Sequence, residues 1–234
     1  MNEAMKLSLQ MNGGVMVTRK DVLAAFQFRH ATKRFDETKK ISDQDFEIIL
    51  EAGRLSPSSF GFEPWRFLVV QNPQLREELK MVTWGAQGQL PTASHYVAIV
   101  CLKDGMRYDS SHITHMMRDV QHLSPEMMEK KRERFREFQK QNGILETPRT
   151  LFDWAVKQSY IALGNMMTAA AFLGIDSCAI EGGNMSAIEK ILAENGLLDN
   201  GRYGLGVMVA FGYRLDEPPA KTRQPLEDIV VWVR

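Results

Sequence analysis

The segment Arg29-His30-Ala31-Thr32-Lys33-Arg34-Phe35 concentrates cations near one end of the chain, and Lys221-Thr222-Arg223-Gln224-Pro225 does the same near the other. The chain as a whole balances 29 Lys+Arg against 29 Asp+Glu, a formal net charge of zero. Clustered cations in a neutral chain point to a local anion site rather than a polyanion-binding surface. If the fold brings the two segments together they can hold one phosphate group, Arg with forked donors and Lys as a point charge. A plainer reading of the first segment stands beside this one: its cations complement the negative end of the preceding helix. Thr18 with Asp21 marks the start of that helix, and Val22, Ala25, Phe26 and Arg29 follow at helical spacing. A lone histidine such as His30 is more often structural than functional.

Moving outward, 234 residues with 44% hydrophobic content suffice for a substantial core. Residues 1–234 read as a single domain. A charged, Met-rich helical excursion at about 104–148 has too few apolar residues for a core of its own. Charge balance argues against a dedicated nucleic-acid binder. Cys101 and Cys178 lie in apolar stretches, outside any C-x-x-C or metal-ligand spacing, and read as buried thiols of a reducing compartment. Residues 1–16 lack the continuous apolar run of a secretion signal. Residues 151–175 are interrupted by Asp153, Lys157, Gln158 and Asn165, so they read as a buried helix and not a membrane span. The expectation is a soluble cytoplasmic protein with no membrane or nucleic-acid partner.

Local signals place the elements. Ser42 with Asp45 opens a helix whose inner stripe is Phe46, Ile49, Leu50 and Gly53. Residues 55–61 are turn chemistry, rich in Ser, Pro and Gly. Strands are expected at 65–71, 96–102, 175–180, 205–212 and 229–233. Asn72-Pro73 opens a helix running toward Trp84, and Ser124-Pro125-Glu126 opens a charged one that ends near Asn142-Gly143. A long helix over 148–172 stops at Gly174. Ser186 with Glu189 reads as a capping box for a helix ending at Gly196. Strands and helices interleave without a strict βαβα order. The pairs Met116-Met117, Met127-Met128 and Met166-Met167 read as core filler.

The chemistry must come from elsewhere than a catalytic side chain. No Ser-His-Asp triad, zinc motif, P-loop or G-x-G-x-x-G fingerprint is legible. No metal site or catalytic residue is therefore expected, and a bound cofactor would supply the reactivity. Residues 56–61 are either an ordinary turn or a tight loop offering hydroxyls and backbone N–H groups to a polar ligand. Ile180-Glu181-Gly182-Gly183 is either a plain strand-to-helix turn or a place where the backbone can approach a planar ring closely.

Taken in order, the segments 28–33, Leu55-Ser56-Pro57-Ser58-Ser59, Pro64-Trp65-Arg66-Phe67, Trp84-Gly85-Ala86-Gln87-Gly88-Gln89 with Ala93-Ser94-His95, Ile180-Glu181-Gly182 and Lys221-Thr222-Arg223-Gln224-Pro225 resemble the nitroreductase family of flavin enzymes. The likeness runs over most of the chain and is closest to the bacterial oxygen-insensitive NAD(P)H nitroreductases. It implies an α+β fold with a central, mostly antiparallel sheet flanked by helices. It implies a homodimer with FMN at the interface and a C-terminal extension crossing to the partner subunit, a role that the apolar run 229–233 suits.

The resemblance also implies roles. Arg29, Lys221 and Arg223 would clamp the FMN phosphate. His30 and Ala31 would lie along the phosphate and ribityl chain, and Lys33 would reach the pyrimidine end of the ring. Pro57, Ser58 and Ser59 would come from the second subunit. Ile180, Glu181 and Gly182 would pass beside the ring, and Gln87 and Gln89 would meet the pyrimidine edge. Ala31 stands where relatives often have Ser, Glu63 where some have Gln, and the Ala86-Gln87-Gly88-Gln89 stretch where many have Asn and Lys. The implied reaction takes hydride from NADH or NADPH and passes two electrons to a nitroaromatic or quinone in a ping-pong shuttle. A non-catalytic flavin-binding or sensing module and a dehalogenase-like branch of the same fold are the alternatives.

Overall fold

The computed structural model describes residues 17–234. Its centre is an antiparallel sheet of four strands, β1 (Trp65–Val69), β2 (His95–Leu102), β3 (Asp176–Ile180) and β4 (Tyr203–Gly212), in the order β1-β2-β4-β3. Every residue of β4 is buried, as is nearly all of β2. That is why both strands read as continuous apolar runs without alternation. Side-chain alternation still sorts them. Val97, Ile99, Val207, Val209 and Phe211 face one apolar layer, while Tyr96, Ala98, Val100, Met208 and Ala210 face the other. The register shifts between Ile99 and Val100, which pair with Val207 and Leu205. This bulge turns Leu205 to the face of Met208.

The first layer is built by α2 (Asp43–Arg54) and α7 (Pro148–Phe172), through Phe46, Ile49, Leu163, Met166 and Ala170. The second is built by α3 (Pro73–Val82), α8 (Met185–Glu194) and the excursion. Two further helices lie before α2 and after α3: α1 (Arg19–Phe28) and the single turn α4 (Gln89–Thr92). The fold is thus α+β, a sheet covered on both faces.

The excursion contains α5 (Ser111–His115), a π-helical turn (Met116–Val120) and α6 (Pro125–Gln141). Its buried residues Met106, Ile113, Met117, Phe135 and Ile144 belong to the same apolar cluster as β2 and β4. The Phe135 ring lies 4.8 Å from those of Phe60 and Phe62 and 5.7 Å from that of Trp154 on α7. Buried Gln139 accepts from the Tyr108 N–H at 3.0 Å and donates to the Met106 carbonyl at 2.7 Å. Of the methionine pairs, Met116, Met117 and Met166 are buried, whereas Met127 is exposed.

Most element starts follow from short-range chemistry. Thr18 caps α1 with Asp21 reciprocating, and Ser42, Asn72 and Ser124 cap α2, α3 and α6. Two readings need correction. Asn184, not Ser186, caps α8: its side-chain oxygen accepts from the Ala187 N–H at 3.1 Å. Glu189 instead accepts from the Leu205 N–H at 2.8 Å and pairs with Lys103 at 3.3 Å. The run 229–233 is no strand. Leu226–Ile229 forms one helical turn, α9, and Val231, Trp232 and Val233 beyond it are 87, 78 and 93% exposed. A strand needs a neighbouring ladder, and this stretch pairs with none of the described residues. The helix read from Thr18 and Asp21 is present as α1, and it buries only Ala25; Val22, Leu23 and Phe26 are exposed.

Candidate functional site

The two basic segments meet. β3 is an edge strand, and Ala31 bridges to Ser177 on it in parallel sense, with the Thr32 N–H donating to the Ser177 carbonyl at 3.4 Å. The chain leaving β4 is fixed to the same segment: Phe35 bridges to Arg214, the Asp36 N–H donates to the Tyr213 carbonyl at 2.8 Å, and the Leu215 N–H to the Arg34 carbonyl at 3.2 Å. Residues 29–34 and 214–223 thereby enclose a cavity of about 430 Å³. Lys221 Nζ donates to the Arg29 carbonyl across 192 residues of sequence. The His30 ring nitrogens lie 3.1 Å from the Phe28 carbonyl oxygen and 3.0 Å from that of Pro219.

Asp176, 2% exposed, is the hub beneath this cavity. One carboxylate oxygen lies 2.6 Å from the Arg214 guanidinium and accepts from the Thr32 hydroxyl at 3.3 Å; the other accepts from the Arg214 backbone N–H at 3.0 Å. Arg214 also donates to the Phe28 carbonyl at 2.9 Å and covers the Phe28 ring at 4.3 Å. Neither Asp176 nor Arg214 stood out in the sequence reading. The signal was present, a carboxylate opening an otherwise apolar strand and an arginine just after the last one.

The cavity is cationic. Arg29, Lys33, Lys221 and Arg223 line it, and none of the four makes a carboxylate ion pair among the described residues. Asp216 and Glu217 also line it, yet the imbalance persists. Burial, then the nearby Arg29, Arg223 and Arg214, hold the Lys221 amine below the usual lysine range. An anionic group placed among these cations relieves that repulsion. Its volume falls within the range of small-molecule sites.

The nitroreductase family model matches residues 27–213. A Bacillus subtilis (strain 168) protein named "Putative NAD(P)H nitroreductase YfkO" is 56% identical over 215 residues, spanning 91% of this chain and 97% of its own. This chain belongs to the nitroreductase family. The fold agrees. The solved structure of Bacillus subtilis ydfN superposes with a TM-score of 0.76 at 17% identity, covering 92% of this chain and 100% of that one. A protein from Exiguobacterium sibiricum solved in complex with FMN gives 0.71 at 22% identity, covering 92% and 99%.

The remaining residues singled out in this nitroreductase chain lie apart from the cationic cavity. Ile180 is buried at the end of β3, and Gly182 follows it against Gly85, whose N–H donates to the Gly182 carbonyl at 2.7 Å. A Cβ on Gly182 would sit 3.0 Å from the Gly85 Cα, so the two turns touch backbone to backbone. Glu181 is exposed and accepts from the Tyr160 hydroxyl. Gln87 turns toward the end of α3, donating to the Lys80 and Thr83 carbonyls at 2.7 and 2.9 Å. Gln89 is buried, its amide 3.5 Å from the Cys178 sulfur.

Pro57, Ser58 and Ser59 form a loop outside that cavity. Ser58 Oγ accepts from the Glu63 N–H at 2.9 Å, and the Ser59 N–H donates to Gln158 at 2.9 Å. Phe60 has φ +60 and Glu63 φ +44, so this loop is held in the left-handed region by non-glycine residues. Its carbonyls are tethered from the excursion. Gln121 donates to Gly61 at 2.8 Å, Lys131 to Phe60 at 2.9 Å, and His112 to Phe62 at 2.7 Å. None of these tethers was legible from sequence spacing.

Proposed function

We propose that the protein is an FMN-dependent oxidoreductase that takes hydride from NADH or NADPH and passes two electrons to an electron-poor nitroaromatic or quinone, acting as a homodimer. The observation that carries this reading is the cationic cavity joining residues 29–34 to residues 214–223. A terminal phosphate fits its donor set, with Arg29 and Arg223 supplying forked N–H donors and Lys221 a point charge. The kinship with a protein named as an NAD(P)H nitroreductase and the FMN held by the Exiguobacterium sibiricum protein support the choice of cofactor and donor.

The chemistry FMN supplies when bound is two-electron transfer between a nicotinamide and an acceptor. The chain's own residues bind and orient. Arg29, Lys221 and Arg223 hold the phosphate, with His30 and Ala31 along the phosphate and ribityl chain. Lys33 would stand at the pyrimidine end, where a cation would favour negative charge on the ring. Gln87 and Gln89 are engaged with Lys80, Thr83 and Cys178, so the polar contact at that end rests chiefly on Lys33. Ile180, Glu181 and Gly182 would border the ring. Pro57, Ser58 and Ser59 complete the site from a second copy. Val22, Leu23 and Phe26 on α1, Ile161 on α7 and the tail from Ile229 to Val233 are large apolar side chains left exposed by a single chain. A second subunit would cover them, with the tail crossing to it.

The test begins with colour and mass. Purified protein should be yellow, bleach anaerobically with NAD(P)H, and recover on adding a nitroaromatic or quinone. Light scattering should give twice the chain mass. A colourless protein that FMN does not reconstitute defeats the proposal. Arg223→Ala should weaken FMN retention about tenfold or more, the loss of a charge-assisted contact; unchanged affinity on fluorescence titration removes Arg223 from the clamp.

A further inference from the structure

A second cavity, of about 630 Å³, lies on the excursion side, lined by Phe60, Leu123, Met127, Lys130, Lys131 and Arg134. Four of these come from α6 at positions 127, 130, 131 and 134, the spacing that puts residues on one face of a helix. The lining divides by chemistry. Phe60, Leu123 and Met127 are apolar; Lys130, Lys131 and Arg134 are cations; none is acidic. No carboxylate of α6 lies in the lining, although Glu126 reaches the lining Lys130 from outside it. Glu126 pairs with Lys130 at 2.5 Å on the solvent side, Glu133 pairs with Arg136 and Glu137 with Lys140. Arg134 has no hydrogen bond or ion pair among the described residues. Lys131 is fixed in place by the Phe60 carbonyl and by Gln121 Oε1 at 2.6 Å.

The Phe60 conformation is the second observation. Its backbone is held at φ +60, a left-handed conformation that non-glycine residues seldom adopt, and Lys131 and Gln121 secure it there. The same residues that tether this strained turn line or adjoin the cavity. Phe60 is also continuous with Pro57, Ser58 and Ser59, the loop assigned above to the flavin site of a second copy, so the cavity is placed against that copy's flavin.

We infer that this cavity binds an aromatic acceptor carrying an anionic group, the ring resting on Phe60, Leu123 and Met127 and the carboxylate meeting Arg134 and Lys130. The inference rests on the oxidoreductase reading and narrows its substrate class: the enzyme discriminates in favour of nitroaromatic or quinone acids over their neutral counterparts. An apolar floor with a one-signed rim selects by charge as well as by shape. Neutral nitroaromatics lose the charge contact and gain nothing in its place.

The FMN-loaded protein tests this with 4-nitrobenzoate and 4-nitrobenzyl alcohol as acceptors. The ratio of their kcat/KM values should fall about tenfold in Arg134→Gln, through a rise in KM for the acid. The double variant Lys130→Gln/Arg134→Gln should lower it further. Benzoate, which cannot be reduced, gives a readout that does not depend on turnover. Its calorimetric affinity for the wild-type holoprotein should weaken with salt and fall by a similar factor in Arg134→Gln. An unchanged acid-to-alcohol ratio in both variants overturns the inference. So does a result in which Arg134→Gln alters the NADPH-to-NADH ratio and leaves the acceptor ratio alone, since that assigns the cations to the donor's phosphate. If no acceptor is reduced and benzoate still binds in an Arg134-dependent way, the oxidoreductase reading fails and the anion cavity stands.

Discussion

Residues 29–35 are held by backbone, whereas residues 58–62 are held by long side chains reaching in from the excursion. The first segment is bridged to β3 and to the chain leaving β4, over a buried Asp176–Arg214 pair. The second sits in strained turns whose carbonyls are tied to Gln121, Lys131 and His112. A backbone frame loses little when one side chain changes, except at its buried charge. A tethered loop loosens locally whenever a tether is cut. The cationic cavity should therefore behave as part of the global fold, and the 58–62 loop as a separately adjustable element.

Asp176→Ala attacks the frame at its centre and has the largest expected effect. It strands the Arg214 guanidinium over a buried site and should cost about 3–5 kcal/mol in urea unfolding. A loss below about 1 kcal/mol would show that the frame does not depend on its ion pair. Gly88→Ala strikes the same frame from its flank. A Cβ there would lie 2.3 Å from the Lys33 carbonyl oxygen, a backbone atom that cannot step aside freely. The expected cost is about 1–3 kcal/mol, with weakened cofactor retention as Lys33 is displaced; an unperturbed variant would place the Lys33 segment further from α4.

Gln121→Ala cuts two loop tethers and should cost about 1–2 kcal/mol, felt locally. Amide exchange at Phe60, Gly61 and Phe62 should accelerate while β2 and β4 stay protected. Uniform acceleration would erase the distinction between frame and loop. The smallest effect is a pH dependence. Burial, with Arg202 and His115 adding and the Phe62 carbonyl opposing, pushes the His112 pKa below its usual 6.5. The folded state thus resists protonating this ring more than the unfolded chain does. Its contribution is fully present above pH 6.5 and is lost as pH falls from there toward the lower folded value. His95, pushed down to about 4 by burial and by Arg76, acts in the same direction and is retained in a His112→Gln variant. The wild-type protein should lose more stability between pH 7 and pH 5 than His112→Gln does. Parallel curves would remove His112 as a titrating tether.

Much of the fold was legible because its signals are local. Thr18 with Asp21, Ser42, Asn72-Pro73 and Ser124-Pro125 each satisfy helix N–H groups within four residues, so short sequence windows contain the whole interaction. Gly174, at φ +70, stops α7 for the same kind of reason. The capping box read at Ser186 failed because Asn184, two residues earlier, offered an equivalent oxygen, and Glu189 was recruited by Leu205 and Lys103. The basic segments were visible as compositional anomalies, but nothing in the sequence measured the gap between them.

What the sequence determined by itself was the longer helices, the four strands of the sheet as apolar runs, and the two cationic stretches. Tertiary structure alone decided the strand order β1-β2-β4-β3, which puts the free edge of β3 beside residues 31–32 and the end of β4 beside residues 34–36. It also decided that the apolar run 229–233 forms no strand within this chain and that Val22 and Phe26 stay exposed. The physical reason is range. A helix cap closes on neighbours a few residues away, while a ladder, a buried ion pair or a covered apolar face needs a partner that folding, or a second chain, must bring from far off.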